Sequence, residues 1–134
     1  MLFIKFIGKV TNNFPKKTYF CLINLYIMKI TIVSGARPNF MKIAPITRAI
    51  KAAQEAGKKI SYRLIYTGRQ DDTSLDASLF SDLDMKKPDG YLGVSGHDQS
   101  EVTAAIMLAF EKELNTHPAQ VVLVVDDLTA TMSC

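Results

Sequence analysis

The sequence is poor in the residues that most often carry metal-dependent or thiol-dependent chemistry. Its 134 residues include only two cysteines and two histidines. Cys21 and Cys134 stand near opposite ends of the chain without metal-ligand spacing, so we expect ordinary thiols in a reducing cytosol. His97 and His117 lie beside turn-forming residues without an orienting partner, which favours surface positions over catalytic ones. The sequence therefore predicts no metal site.

The chain also lacks a dense basic stripe and a long apolar run. Its 16 Lys and Arg residues are scattered and balanced by 13 Asp and Glu, so a groove for nucleic acid is not expected. The apolar segment 19–33 is interrupted by Lys29 and is shorter than the ~20 residues of a spanning helix. We therefore expect neither a nucleic acid nor a membrane as partner. With 48% apolar residues, the chain can bury the core of one domain.

Residues 1–27 differ in pattern from everything that follows. Their lysines and apolar stretch weakly resemble a secretory signal, but small residues suited to a cleavage site are missing. Our interpretation is that Met28 is the natural start and that residues 1–27 are an upstream extension outside the domain. A targeting segment is the alternative.

From Met28 onward, segments typical of strands alternate with segments typical of helices. The strand-like segments are 29–33, 60–67, 91–94 and 121–125, and the last of them, VVLVV, has no polar residue. Such a strand requires cover on both faces, which indicates a parallel, doubly wound α/β sheet. The loops SGARPN, TGRQDD and DDLTAT would then share the edge where ligands bind in such folds.

The intervening segments show helical periodicity and clear boundary signals. Gly57 is expected to end the first helix, and Asp98 with Glu101 has the spacing of a capping box. Glu101 and Glu113 are predicted to be ordinary charges on a solvated face. The predicted apolar positions are Ile43, Ile46, Ile50 and Ala53 in the first helix, Leu75, Leu79, Phe80 and Leu83 in the second, and Val102, Ala105, Ile106, Ala109 and Leu114 in the third.

The turn SGARPN has the residues of an anion site. Gly35 permits a sharp turn and a close approach of the backbone to a ligand, and Pro38 suits the first position of a helix. The N–H groups of a helix start attract anions, and Arg37 can grip a phosphate with two bonds, with Lys42 one turn further on. A plain strand-to-helix turn explains the same residues equally well.

Asp126 and Asp127 follow the all-apolar strand at the same predicted edge. Adjacent carboxylates there can position a sugar hydroxyl, bind a metal ion or cap the next helix. Helix capping is the most frequent of these uses, and no third metal ligand lies at a telling distance in the sequence.

Short motifs follow one another from Met28 almost to the end of the chain. They are GARPN at 35–39, KIAP at 42–45, TGRQ at 67–70, KPDGYLGV at 87–94, DQSEVTAAIM at 98–107 and VVLVVDDLTATM at 121–132. In this order and spacing they resemble the motifs of the non-hydrolysing UDP-N-acetylglucosamine 2-epimerases, although each motif alone is weak.

The resemblance implies a GT-B fold, in which a nucleotide sugar lies between two Rossmann-like domains. Residues 28–134 would be the incomplete N-terminal domain, truncated before its last elements and the second domain. The implied reaction interconverts UDP-N-acetylglucosamine and UDP-N-acetylmannosamine by elimination and re-addition of UDP, without a redox cofactor. The family also implies a homodimer at full length and a cytoplasmic role in polysaccharide biosynthesis.

The motifs assign roles to individual residues. Arg37 and Lys42 would contact the phosphates of the nucleotide sugar, beside the backbone of Gly35. Asp127 matches an aspartate that lies close to the sugar and supports the acid–base machinery, so it is the expected catalytic residue.

The sequence departs from the family pattern at three places in these motifs. Asp126 replaces a glycine, which adds bulk and negative charge where an anionic ligand should pass. Ala36 replaces a threonine or serine, and Asn39 replaces a glutamate. The family's catalytic glutamates, essential histidine and second domain would lie beyond Cys134, so we expect these 134 residues alone to be inactive.

Two other interpretations stay open on the sequence alone. The chain could be a non-catalytic remnant with weak nucleotide binding and an aggregation-prone sheet edge. It could also belong to a UDP-sugar glycosyltransferase of the same architecture.

Overall fold

The strands of the described residues form one sheet. The computed structural model describes residues 2–6 and 27–134. Its strands are β1 (Leu2–Phe6), β2 (Met28–Ser34), β3 (Ile60–Tyr66), β4 (Gly90–Tyr91) and β5 (Val121–Val125). Their order in the sheet is β1-β5-β2-β3-β4, and β2 to β5 are parallel. The predicted parallel arrangement is therefore confirmed for these four strands, although β4 is shorter than the predicted segment 91–94.

β1 is an addition that the sequence pattern did not predict. It runs antiparallel to β5, with Leu2 opposite Val125 and Phe6 opposite Val121. β5 therefore has β1 on its outer side and β2 on its inner side. The interpretation of residues 1–27 as an upstream extension stays a prediction, and Cys21 lies outside the described residues.

Helix α1 (Arg37–Glu55) follows β2 and ends as the sequence predicts. Gly57 adopts a positive φ of 80° and donates its N–H to the carbonyl of Gln54, while Lys58 donates to Ala53. This pair of bonds is the Schellman ending that glycine permits, because a Cβ is unfavourable in the left-handed region.

The remaining helices connect the later strands. α2 (Ala77–Asp82) follows β3, α3 (Gln99–Thr116) precedes β5, and the short α4 (Thr129–Met132) follows it. Asp98 caps α3, and its carboxylate accepts a 3.0 Å hydrogen bond from the N–H of Ser100. This confirms the predicted start of the helix. In the parts of the chain that the structure describes, no helix combines the length and apolarity needed to cross a bilayer.

The sheet has an apolar core on each face. Side chains of α1 and α2 cover one face, and α3 covers the other. The first cluster contains Ile32, Phe40, Ile43, Ile50, Leu64, Tyr66, Leu79, Phe80, Leu123 and Val125, and the second contains Val33, Phe110, Val122 and Val124. Alternate residues of β5 thus serve opposite faces, which explains why that strand has no polar residue.

The face of α3 differs from the prediction in three positions. Ile106 is buried as expected, but Phe110 is also buried and Ala105 is exposed. Glu113 is not an ordinary solvated charge, because its side chain is only 15% exposed and its carboxylate pairs with the Arg63 guanidinium at 2.6 Å. Since Arg63 projects from β3, this ion pair ties α3 to the sheet.

Candidate functional site

An open cleft of about 520 Å³ lies at the edge where the parallel strands end. Loops after β2, β3 and β4 line it, together with α3 and α4, as expected for the ligand edge of such a sheet. The lining residues include Gly35, Thr67, Arg69, Asp72, Ser95 and Ala130. The predicted convergence of the strand-following loops is therefore observed.

The turn between β2 and α1 is closed by the side chain of Asn39. Its Oδ1 accepts 2.9 Å hydrogen bonds from the N–H groups of both Gly35 and Ala36. Ala36, the residue before the helix, has no side-chain oxygen with which to cap it. Asn39 is fully buried, and it satisfies two backbone amides of the turn that is predicted to bind an anion.

Gly35 packs closely against α4. A Cβ at this position would stand 3.0 Å from the Ala130 Cβ and 3.1 Å from the Thr131 Cγ2. The absence of a side chain therefore lets the turn approach α4 closely, and Gly35 still lines the cleft.

Lys42 and Asn39 meet the loop after β5 through Asp126. The ammonium group of Lys42 donates to one carboxylate oxygen of Asp126, and the Asn39 Nδ2 donates to the other at 2.8 Å. The hydrogen bond from Lys42 is the main cause that lowers the pKa of Asp126. The carboxylate is therefore ionised at neutral pH, and it neutralises Lys42.

Arg37 lies at the start of α1 and is exposed. It takes part in none of the ion pairs found within residues 27–134. Its charge acts on Asp76, the N-cap of α2. The pKa of Asp76 is lowered chiefly by hydrogen bonds from Ser78 and Leu79, and the charge of Arg37 contributes less. Arg37 is thus an exposed cation at this edge of the sheet, and a ligand can reach it.

Asp127 is exposed immediately after Asp126. Neither aspartate caps α4, because the N-cap is Leu128 and no side chain bonds to the helix start. Within the described ranges, no three His, Cys, Asp or Glu side chains cluster closely enough to hold a metal ion. Helix capping by this pair, the most frequent of the uses considered, is therefore wrong.

Tyr66 and Asp72 form a second polar contact in the cleft. The phenolic hydroxyl donates a 2.7 Å hydrogen bond to the Asp72 Oδ2. Burial, followed by this bond to the carboxylate, raises the pKa of Tyr66 to about 12. The same bond lowers the pKa of Asp72, with a further contribution from Ser74. At neutral pH the pair is therefore a neutral phenol bonded to a carboxylate.

The structure brings only some of the predicted site residues together. Gly35 and Lys42 are linked through Asn39 and Asp126, whereas Arg37 and Asp127 are exposed on the same side of the sheet. Sequence reasoning missed the bridging role of Asn39. The signal was present in the alanine at the N-cap position, because a helix start without a capping oxygen requires another acceptor.

Curated sequence relatives of the chain are nucleotide-sugar epimerases. The chain is 28% identical over 106 residues to the UDP-2,3-diacetamido-2,3-dideoxy-D-glucuronate 2-epimerase of Pseudomonas aeruginosa, covering 79% of the chain and 29% of that protein. It is 26% identical over 106 residues to the UDP-N-acetylglucosamine 2-epimerase of Methanocaldococcus jannaschii, covering 79% of the chain and 28% of that protein. The chain thus spans less than a third of the length of these relatives. No family model matches it.

Solved structures agree with these relatives. The crystal structure of the M. jannaschii UDP-GlcNAc 2-epimerase in complex with UDP-GlcNAc and UDP superposes with a TM-score of 0.67 at 26% identity, over 79% of this chain and 28% of that one. The chain covers the N-terminal part of this GT-B fold, which confirms the predicted α/β, Rossmann-like class. The sequence relatives and the solved structures therefore agree: this chain resembles UDP-N-acetylglucosamine 2-epimerases and a related UDP-sugar 2-epimerase.

Proposed function

We propose that this chain forms the N-terminal, Rossmann-like part of an isomerase that interconverts UDP-N-acetylglucosamine and UDP-N-acetylmannosamine. The observation that carries the proposal is the similarity, in sequence and in fold, to the M. jannaschii enzyme, whose crystal contains UDP-GlcNAc and UDP. A homodimer and a cytoplasmic setting belong to the same proposal.

The loops at this edge of the sheet supply groups suited to one half of this reaction, although of the four predicted site residues only Gly35 lines the cleft itself. In the proposed mechanism UDP is eliminated and then added back, and the proton at C2 is exchanged between the two steps. Arg37 stabilises the negative charge that develops on the departing UDP, because a guanidinium binds two phosphate oxygens at once. Lys42, once it is released from Asp126, adds a second positive charge at the same turn, next to the backbone of Gly35, and Asp127 supports proton transfer beside the sugar.

The complete reaction is proposed for a longer protein. A chain that covers 28% of the M. jannaschii enzyme contributes one wall of a two-walled cleft. One wall cannot position both the leaving group and the proton-transfer residues, and enzymatic rates depend on that positioning. We therefore expect no UDP-N-acetylmannosamine when these 134 residues are incubated with UDP-N-acetylglucosamine.

Similarity to the P. aeruginosa protein favours a second candidate, a 2-epimerase of a different UDP-acetamido sugar. Both candidates require the UDP group to bind at the same turn. They differ in the sugar, because a uronate carries a carboxylate that N-acetylglucosamine lacks. A product assay of a longer protein with each UDP-sugar would separate them, and a transferred sugar in place of an epimer would indicate a glycosyltransferase.

A binding measurement tests the proposal on the chain as it stands. NMR titration of UDP-GlcNAc into the wild type should shift amide signals around the turn, and Arg37→Met should weaken binding by about tenfold or more. Arg48→Met is the matched control, because Arg48 is an exposed arginine of the same helix that donates to the Leu83 carbonyl at 3.2 Å. Equal binding by the two variants would contradict the assignment of Arg37.

A further inference from the structure

Two aspartates of the described residues have a left-handed backbone. Asp84 has φ of 49° and Asp126 has φ of 70°. This region is unfavourable for residues with a Cβ, although aspartate and asparagine adopt it more readily than others. Asp84 is exposed just after α2, whereas Asp126 is partly buried and bonded to side chains of α1. Of these two aspartates, only Asp126 combines a left-handed backbone with hydrogen bonds to side chains of α1.

Those contacts fix Asp126 at both its side chain and its backbone. Its carboxylate accepts from Lys42 and from the Asn39 Nδ2, and its side chain is 20% exposed. Its carbonyl accepts a 3.1 Å hydrogen bond from the hydroxyl of Thr131, which is itself buried. The loop after β5 is therefore attached to the start of α1 through an acidic group.

The consequence is that three donors of this turn are already engaged by the protein. The amides of Gly35 and Ala36 donate to Asn39, and the ammonium of Lys42 donates to Asp126. A phosphate that approaches Lys42 therefore meets a carboxylate bonded to it. The negative charges of the phosphate and the carboxylate repel each other, which weakens the binding of the phosphate.

We infer that Asp126 is an intramolecular anion that occupies the phosphate position beside Lys42, so that a ligand phosphate must displace it to bind there. Asp126 thereby lowers the affinity of the turn for anions while it stabilises the free chain. The inference rests on the proposed function for one point only, that a phosphate-bearing ligand uses this turn.

Pyrophosphate is the probe that tests this inference, measured by calorimetric titration at low salt. Asp126→Asn removes the negative charge, keeps an oxygen for the Asn39 amide and tolerates the left-handed backbone. We expect it to bind pyrophosphate about tenfold more tightly than the wild type. Asp126→Gly removes the carboxylate and relieves the strain of the left-handed backbone, so it should also bind pyrophosphate more tightly than the wild type. It replaces Asp126→Asn in the experiment if that variant does not fold.

The chain offers a close control for the charge change. Asp84→Asn makes the same change at the other left-handed aspartate, outside the contacts of the turn, and should bind pyrophosphate as the wild type does. Adding Lys42→Gln to Asp126→Asn should abolish the gain, because the released cation is then missing. The inference is overturned if Asp126→Asn binds no better than the wild type, if Asp84→Asn gains as much, or if the gain survives the loss of Lys42.

Failure of this inference can be told apart from failure of the proposed function. Pyrophosphate contains neither the sugar nor the nucleoside, so a gain in Asp126→Asn without any binding of UDP-GlcNAc would contradict the proposed function alone. Binding of UDP-GlcNAc that depends on Arg37 but is insensitive to Asp126 would contradict the inference alone.

Discussion

The hydroxyl of Tyr66, at the end of β3, donates a hydrogen bond to Asp72 six residues later in the loop that follows. Tyr66 is buried against Phe40 and Tyr91, with ring centroids at 6.0 and 6.3 Å. The contact thus joins the core of the domain to the wall of the cleft, since Tyr66 and Asp72 both line it.

Replacement of this tyrosine should cost stability in a pH-dependent way. Tyr66→Phe keeps the ring and removes the hydroxyl, so we expect a loss of about 1 kcal/mol at pH 7 in the free energy of unfolding. The bond lowers the pKa of Asp72, so its contribution is present above the unfolded pKa of about 4 and disappears as pH falls through the lower folded pKa. Urea unfolding of both proteins between pH 7 and pH 3 measures this, and a difference that stays constant would contradict it.

The ion pair between Arg63 and Glu113 should stabilise the packing of α3 on the sheet. Glu113→Gln leaves the 30% exposed Arg63 side chain without its charged partner, and we expect a loss of about 1.5 kcal/mol. Glu111→Gln is the control, because Glu111 is exposed on the same helix. Urea unfolding at pH 7 compares the two, and equal stabilities would show that the pair contributes nothing.

Asn39 should be among the most sensitive polar positions of the chain. Asn39→Ala removes the acceptor of two amides and a donor to Asp126 from a fully buried site, so we expect a loss of about 3 kcal/mol. Asn115→Ala, at an exposed position of α3, should change stability little. Thermal unfolding of the two variants decides the matter, and a similar small effect at both sites would rule out the proposed role of Asn39.

Strand β1 should protect the outer edge of β5 from association with other chains. In an antiparallel pair, alternate residues direct their N–H groups toward the neighbour or away from it. Proline removes an N–H, so only one of Phe3→Pro and Ile4→Pro should disrupt the pairing, and the other is its control.

The disrupted variant should self-associate, because an open edge beside an apolar strand can pair with another chain. Light scattering with size-exclusion chromatography at several protein concentrations measures this. If both variants keep the molar mass of the wild type, β1 has no protective role. An equal rise in molar mass in both variants would contradict the edge-pairing explanation.

The elements that sequence reasoning found correctly are those with local signals. VVLVV predicted the bounds of β5, Gly57 marked the end of α1, and Asp98 marked the start of α3. Each of these depends on the chemistry of a few neighbouring residues, such as β-branching, a left-handed glycine or a capping carboxylate. Their order along the chain was then enough to predict the parallel sheet.

The features that were missed join residues far apart in the sequence. Asn39 and Asp126 are 87 positions apart, and nothing in either local pattern reveals that their side chains bond. The ion pair of Glu113 could not be predicted for the same reason, because its partner Arg63 lies 50 residues away in the sequence, on a strand. Pairing of Leu2–Phe6 with β5 is also non-local, and a short apolar segment does not specify its neighbour.

The bridge between Asn39 and Asp126 also limits the order in which these positions can change. Loss of the carboxylate at 126 leaves the amide of a fully buried asparagine without its acceptor, whereas loss of the asparagine leaves the aspartate with Lys42 alone. The free energies of the two single substitutions should therefore not add in the double variant. The two positions are epistatic, so the effect of a substitution at either one depends on which residue occupies the other.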